Sequence, residues 1–200
     1  VPGADGTQAL ILPLQKQVQE RGLWATHLGP HLGGPGYGQV KLSLLNEILG
    51  RSQWAPIIFG CQAPDTGNAE IIAHYGTDQQ KEDYLQPLLS GEVFSSYSMT
   101  EPHAGADPTM FTTRAEKDGD ERVINGWKFF SSNANTASFL IVMVVTNPDV
   151  SPYKGMSMFL VPTDTPGVNI VRNVGLGGEP LGQGSHALIN YEDVRVPEDA

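Results

Sequence analysis

The spacing of apolar positions divides the chain into a helical front and a strand-rich remainder. A helix is predicted over 15–23, preceded by Pro13 and stopped near Gly22, with Leu14 and Val18 on one face. The pattern leaves open whether it reaches back through Leu10. A glycine-rich connector at 32–38 leads to a stretch of helical period carrying Val40, Leu44, Leu45 and Ile48, which ends at Gly50. The connector precedes no Gly-Lys-Ser/Thr and follows no strand, so it reads as a turn and not as a phosphate cradle. The segment 53–60 is apolar with Pro56 interrupting it, and 68–75 has the length of another short helix. Thr77-Asp78-Gln79-Gln80 has the form of a capping box, opening a helix that runs to about Leu89 and stops at Gly91.

Beyond Gly91 the period changes to short β-rich runs broken by turn residues. Strands are predicted at 94–99, 112–117, 122–124, 127–131, 139–145, 156–161, 168–174 and 186–191. Asp118-Gly119 and Asn125-Gly126 both read as hairpin turns. Alternation along 127–131 puts one of Phe129 and Phe130 into a core. Blocks of helices followed by blocks of strands define an α+β chain, with a helical region over 1–92 and an antiparallel, barrel-like β-domain over 93–200.

Charge and cysteine content narrow the function classes. A net charge of −10 with only 12 Lys and Arg excludes a phosphate-tracking, nucleic-acid-binding surface. Cys61 is the single cysteine, so an internal disulfide or a cysteine metal cluster is impossible, and an intracellular setting is expected. No apolar run has the length of a membrane span, and no basic stretch followed by an apolar one marks a signal peptide. His103 and His186 lack metal-ligand spacing and read as ordinary hydrogen-bonding residues.

The chemistry-bearing segment is Tyr97-Ser98-Met99-Thr100-Glu101-Pro102-His103-Ala104-Gly105-Ala106-Asp107. It resembles the signature of the acyl-CoA dehydrogenases: an aromatic, two residues, Thr-Glu-Pro, then Ala-Gly-small-Asp. Tyr75-Gly76-Thr77, Tyr84-Leu85-Gln86-Pro87-Leu88, Ile124-Asn125-Gly126 with Lys128, Phe130, Ser131 and Ser132, Thr165-Pro166-Gly167 and Glu192-Asp193-Val194-Arg195-Val196-Pro197 follow the same family order. Cys61-Gln62-Ala63-Pro64-Asp65-Thr66-Gly67-Asn68 and the Ser131-Ser132 pair resemble the subgroup whose largest members fuse the dehydrogenase to a kinase-like domain. That subgroup implies branched or hydroxylated acyl chains.

The resemblance implies FAD as cofactor and α,β-dehydrogenation of an acyl-CoA thioester, with hydride passing to flavin N5. A strand end running into a turn can aim successive N–H groups at one ligand, which suits Tyr97, Met99, Thr100 and Gly105 to the flavin edge. Phe130 is implied against the ring, with Ser131 beside it and the Ser132 hydroxyl near N5. Ala106 stands where many relatives place a Ser that touches acyl-CoA, and Tyr153 and Lys154 occupy the loop expected to approach the CoA nucleotide. Glu101, although acidic, is read as structural. The family's catalytic base is expected in a C-terminal helical bundle absent from this chain, so no catalytic residue is expected here, and the chain alone is expected to be inactive and to bind flavin weakly. Electron-transfer flavoprotein as acceptor, a homodimer or homotetramer, and a cytoplasmic or mitochondrial location are further implications. An acyl-CoA oxidase, or a non-catalytic module binding acyl-CoA or a partner, are the competing readings.

Overall fold

The computed structural model describes residues 7–105, 107–175, 177, 179 and 184–200. The chain forms two compact units, Val1–Glu92 and Val93–Ala200, each with its own set of contacts.

The first unit is helical. α1 spans Thr7–Glu20 with Pro13 inside it, so the helix does reach back past Leu10. Proline there removes one i→i−4 bond, which the turns on either side tolerate. α2 (Gly38–Leu49) follows the predicted period, but its stripe of Val40, Leu44 and Ile48 is exposed. α3 (Ala55–Ile58) and α4 (Asp65–Tyr75) come next. The core of this unit gathers Ile11, Val18, Ile57, Ile72, Leu85 and Leu88, together with Gln15, whose amide donates to the Ile57 carbonyl at 3.0 Å.

The capping box forms as predicted. The Thr77 hydroxyl accepts from Gln80 N–H at 3.1 Å, and the Gln80 side chain accepts from Thr77 N–H at 2.9 Å. Behind it α5 (Asp78–Gln80) passes into a π-wound turn, Lys81–Leu85, and then α6 (Gln86–Ser90). Pro87 lacks the N–H that would close an ordinary turn on Asp83, which accounts for the widening just ahead of it. Thr77→Ala is expected to cost about 1 kcal/mol of stability by chemical denaturation; an unchanged midpoint would show that the cap is idle.

The second unit is a seven-stranded sheet in the order β1-β4-β2-β3-β7-β6, with β5 pairing β4 off that path. Its strands are β1 (Ser95–Ser98), β2 (Arg114–Asp118), β3 (Glu121–Ser132), β4 (Phe139–Val145), β5 (Met156–Pro162), β6 (Val168–Val174) and β7 (His186–Pro197). Most pairings are antiparallel, as predicted, while β1 joins β4 in parallel, Ser95 opposite Phe139 through Ser98 opposite Val142. The interior holds Ile124, Leu140, Val142, Val144, Val161, Ile189 and Val194, all at or near zero exposure.

Two turn readings fare differently. Asp118-Gly119 is a hairpin, with Asp118 opposite Glu121 and Gly119 at φ 64°. Asn125-Gly126 is not a turn: β3 runs straight through it as one strand, with a bulge between Ile124 and Gly126. Gly is required there because φ is 144° and an added Cβ would sit 2.7 Å from the Thr113 Cα. Asn125 serves the opposite strand, accepting from Asp193 N–H at 2.9 Å and donating to the Asp193 carboxylate at 3.1 Å. Asp193 itself sits at φ 50°, so the two strands bulge together and stay paired to Pro197.

Candidate functional site

The site is built where the end of β1 meets the end of β3. These strands are not neighbours in the sheet order, so their contact means the sheet curls and closes partway on itself. Several bonds join them. Phe129 N–H donates to the Thr100 carbonyl at 2.8 Å. The Ser98 and Ser131 hydroxyls share a hydrogen bond at 2.9 Å, and Ser98 is also bonded to the Tyr191 hydroxyl at 2.8 Å. Lys128 Nζ donates to the Met99 carbonyl at 2.7 Å and to Glu101 Oε1 at 2.9 Å.

A second bulge in β3, between Phe129 and Ser131, decides what faces outward. Plain alternation with Lys128 inside would turn Phe130 inward and Ser131 out. Phe130 instead adopts φ 61°, is 51% exposed, and stacks on Phe129 with centroids 3.9 Å apart. Neither phenylalanine is a core residue, which corrects the expectation from alternation. Ser131 is fully buried with its hydroxyl committed to Ser98, so any contact it makes with a ligand falls to its backbone. That burial also explains a polar residue at this position: the interior around it is hydroxyl-lined. Ser132 lies opposite His186 across β3 and β7, and its Oγ is 2.8 Å from His186 Nδ1.

Glu101 is structural, as read from the sequence. It is 1% exposed beside a fully buried Lys128. Its Oε1 also accepts from Thr113 N–H at 3.0 Å, and its Oε2 from Thr112 N–H and hydroxyl at 2.8 and 3.1 Å. Burial pushes this carboxyl up, but the hydrogen bonds from Thr113, Thr112 and Lys128 outweigh it and hold it below the usual glutamate range. Burial lowers Lys128 in turn, with Glu101 opposing part of that shift. The ammonium also sits 4.2 Å from the centre of the Phe111 ring.

Thr100 behaves otherwise. Its carbonyl is taken, while neither its N–H nor its hydroxyl has a partner among the described residues. Tyr97 is half-buried with its hydroxyl 3.7 Å from Met158 Sδ, and Met99 is half-buried. Burial raises the Tyr97 phenol, so it stays neutral. An open cleft of about 420 Å³ is walled by Trp127, Phe129, Leu188, Arg172, Pro102 and His103.

Gly105 is exposed at φ 55°. Ala106 lies outside the described residues. Asp107 caps the 3-10 turn Pro108–Met110 by accepting from Thr109 N–H at 2.9 Å. Tyr153 and Lys154 are exposed in the turn Pro152–Lys154, which lies beside Pro108–Met110. The structure therefore groups Tyr97, Met99, Thr100, Phe130 and Ser132 around one edge, with the Tyr153 turn beside the loop that follows Gly105. Lys128 is the residue the sequence underplayed. Its signal was a lysine at an inward position of a strand, which demands a carboxylate partner.

Known proteins match both units of the chain. The acyl-CoA dehydrogenase N-terminal domain model matches residues 5–92 and the acyl-CoA dehydrogenase middle domain model matches residues 96–187. FadE2 of Mycobacterium tuberculosis is 42% identical over 94% of this chain and 46% of its own length. Acyl-CoA dehydrogenase family member 11 of Gallus gallus is 39% identical over 92% of this chain and 24% of its own. A solved acyl-CoA dehydrogenase-family structure from Mycobacterium abscessus superposes at a TM-score of 0.89, with 38% identity over 95% of this chain and 47% of that one. A glutaryl-CoA dehydrogenase from Mycobacterium smegmatis, solved with FADH2, superposes at 0.70, with 28% identity over 94% of this chain and 48% of that one. The chain belongs to the acyl-CoA dehydrogenase family, and it spans less than half of the length of these curated relatives.

Proposed function

We propose that this chain supplies the flavin-facing wall of an enzyme that dehydrogenates an acyl-CoA thioester between its α and β carbons, with FAD as the hydride acceptor. The observation that carries this reading is the pairing of an exposed aromatic face, Phe130 on Phe129, with the N–H and hydroxyl of Thr100, which have no partner among the described residues. A flat, largely apolar ring with one polar edge fits that donor set. FAD, when bound, supplies the two-electron acceptor. Phe130 supports the ring, Thr100 and the Met99–Thr100 backbone meet its polar edge, and Ser132, oriented by His186, adds a hydroxyl on the same face.

Glu101 cannot take the α-proton, since its carboxylate is bonded to Lys128, Thr112 and Thr113. We assign that step to a carboxylate outside these 200 residues. Tyr153 and Lys154 are assigned to the CoA nucleotide, and an electron-transfer flavoprotein to the reoxidation of the flavin.

The reading is tested in the full-length protein by Phe130→Ala. Loss of an exposed stacking ring is expected to weaken FAD binding about tenfold while leaving thermal stability unchanged. Unaltered flavin affinity would exclude Phe130 from the flavin wall.

A further inference from the structure

Lys128 lies behind the proposed flavin face and reaches it only through the Met99 carbonyl, and three features single it out. It is fully buried, it is charged, and it holds a backbone carbonyl as well as its carboxylate partner. A trans peptide points its C=O and the following N–H in opposite directions. Drawing the Met99 carbonyl inward to Lys128 therefore turns the Thr100 N–H outward. The next peptide is fixed the other way, since the Thr100 carbonyl accepts from Phe129 N–H on β3 at 2.8 Å. Glu101 closes the bracket, tying the same ammonium to the N–H groups of Thr112 and Thr113 just before β2. Three separate segments thus meet on one cation: the β1 end, the approach to β2, and the middle of β3.

We propose that Lys128 is a positioning residue for the flavin: by holding the Met99 carbonyl it orients the Thr100 peptide whose N–H faces the ligand. The bond to Met99 satisfies a second proton of the buried ammonium, and it acts on the peptide the proposed function places at the ring's polar edge. This inference rests on that function.

The test compares Lys128→Met with Val161→Ala in the full-length protein. Val161 is fully buried on β5 and serves as a destabilised control that leaves the bracket intact. The readouts are FAD affinity by fluorescence titration, the visible flavin spectrum, and the melting temperature. Lys128→Met is expected to weaken FAD binding at least about tenfold and to shift the flavin bands, because the Thr100 peptide loses its anchor. Val161→Ala is expected to lower the melting temperature while leaving affinity and spectrum unchanged. Should Lys128→Met not accumulate as folded protein, Lys128→Gln, whose shorter amide cannot reach Met99 and Glu101 together, carries the same comparison. A Lys128 variant whose flavin affinity and spectrum match those of Val161→Ala overturns the proposal. A wild-type protein that binds no flavin overturns the proposed function itself, an outcome distinguishable at the first titration.

Discussion

Glu101→Gln is expected to lower the unfolding free energy by about 3–5 kcal/mol, among the largest effects a single substitution in this chain should produce. The reason is asymmetric. Removing the carboxylate leaves Lys128 as an uncompensated charge at zero exposure, and it turns an amide N–H₂ toward the backbone donors of Thr112 or Thr113. Neither group can recover water without opening the end of the sheet. Chemical denaturation at neutral pH measures the loss directly. A change below 1 kcal/mol would mean that the pair is solvated in solution, and the bracket around Met99 would lose its basis.

The same pair sets an acid limit. Glu101 has a folded-state pKa held below its unfolded value, so its contribution is fully present above the ordinary carboxylate range and disappears as pH falls through the lower folded value. The wild-type protein is therefore expected to lose stability on acidification below the usual glutamate range. Glu101→Gln should flatten that part of the profile, since it has no proton left to take up. Parallel acid titrations followed by circular dichroism compare the two slopes.

How far these features could be read from the chain depends on whether their cause is local. The capping box at Thr77 is local: its donors and acceptors lie within four consecutive residues, and it forms as read. The Thr-Glu-Pro turn at 100–102 was likewise recognisable, because turn residues carry their own conformational bias. Lys128 and Glu101 are 27 positions apart, and only the curl that brings β3 against the end of β1 makes them partners. In the sequence Lys128 stood out only as part of the family-like segment after Asn125-Gly126, with no partner named for it. The bulge at Phe130 is a further non-local effect, since a one-residue shift in register against β7 reversed the faces of the residues after it. Ser131 therefore entered the interior, where the family resemblance had implied a place beside the flavin. The parallel pairing of β1 with β4 was invisible for the same reason: alternation reports a face, and says nothing of strand direction.

Asn125-Gly126 is the instance in which a strong local signal gave the wrong element, and it leads to the second large effect. Gly126→Ala is expected to destabilise the protein by about 2–5 kcal/mol, the sum of backbone strain and overpacking. At φ 144° the backbone is one that side-chain-bearing residues rarely adopt, and the new Cβ would stand 2.5 Å from Thr113 Oγ1 and 2.7 Å from the Thr113 Cα. A hydroxyl could rotate away, but the Cα is backbone, so β2 or β3 must move. Thr113 is pinned on both sides, its N–H to Glu101 and its hydroxyl to the Trp127 carbonyl at 3.2 Å. The displacement should therefore reach the Glu101 bracket, and hydrogen exchange at the Thr112 and Thr113 amides should accelerate with the loss of stability. An Asn-Gly hairpin tip would respond differently, with a smaller, local penalty and no change at Thr113. Unaltered exchange at those two amides in Gly126→Ala would mean that the close approach of β2 to β3, and with it the rigid seat described for Glu101, is absent in solution.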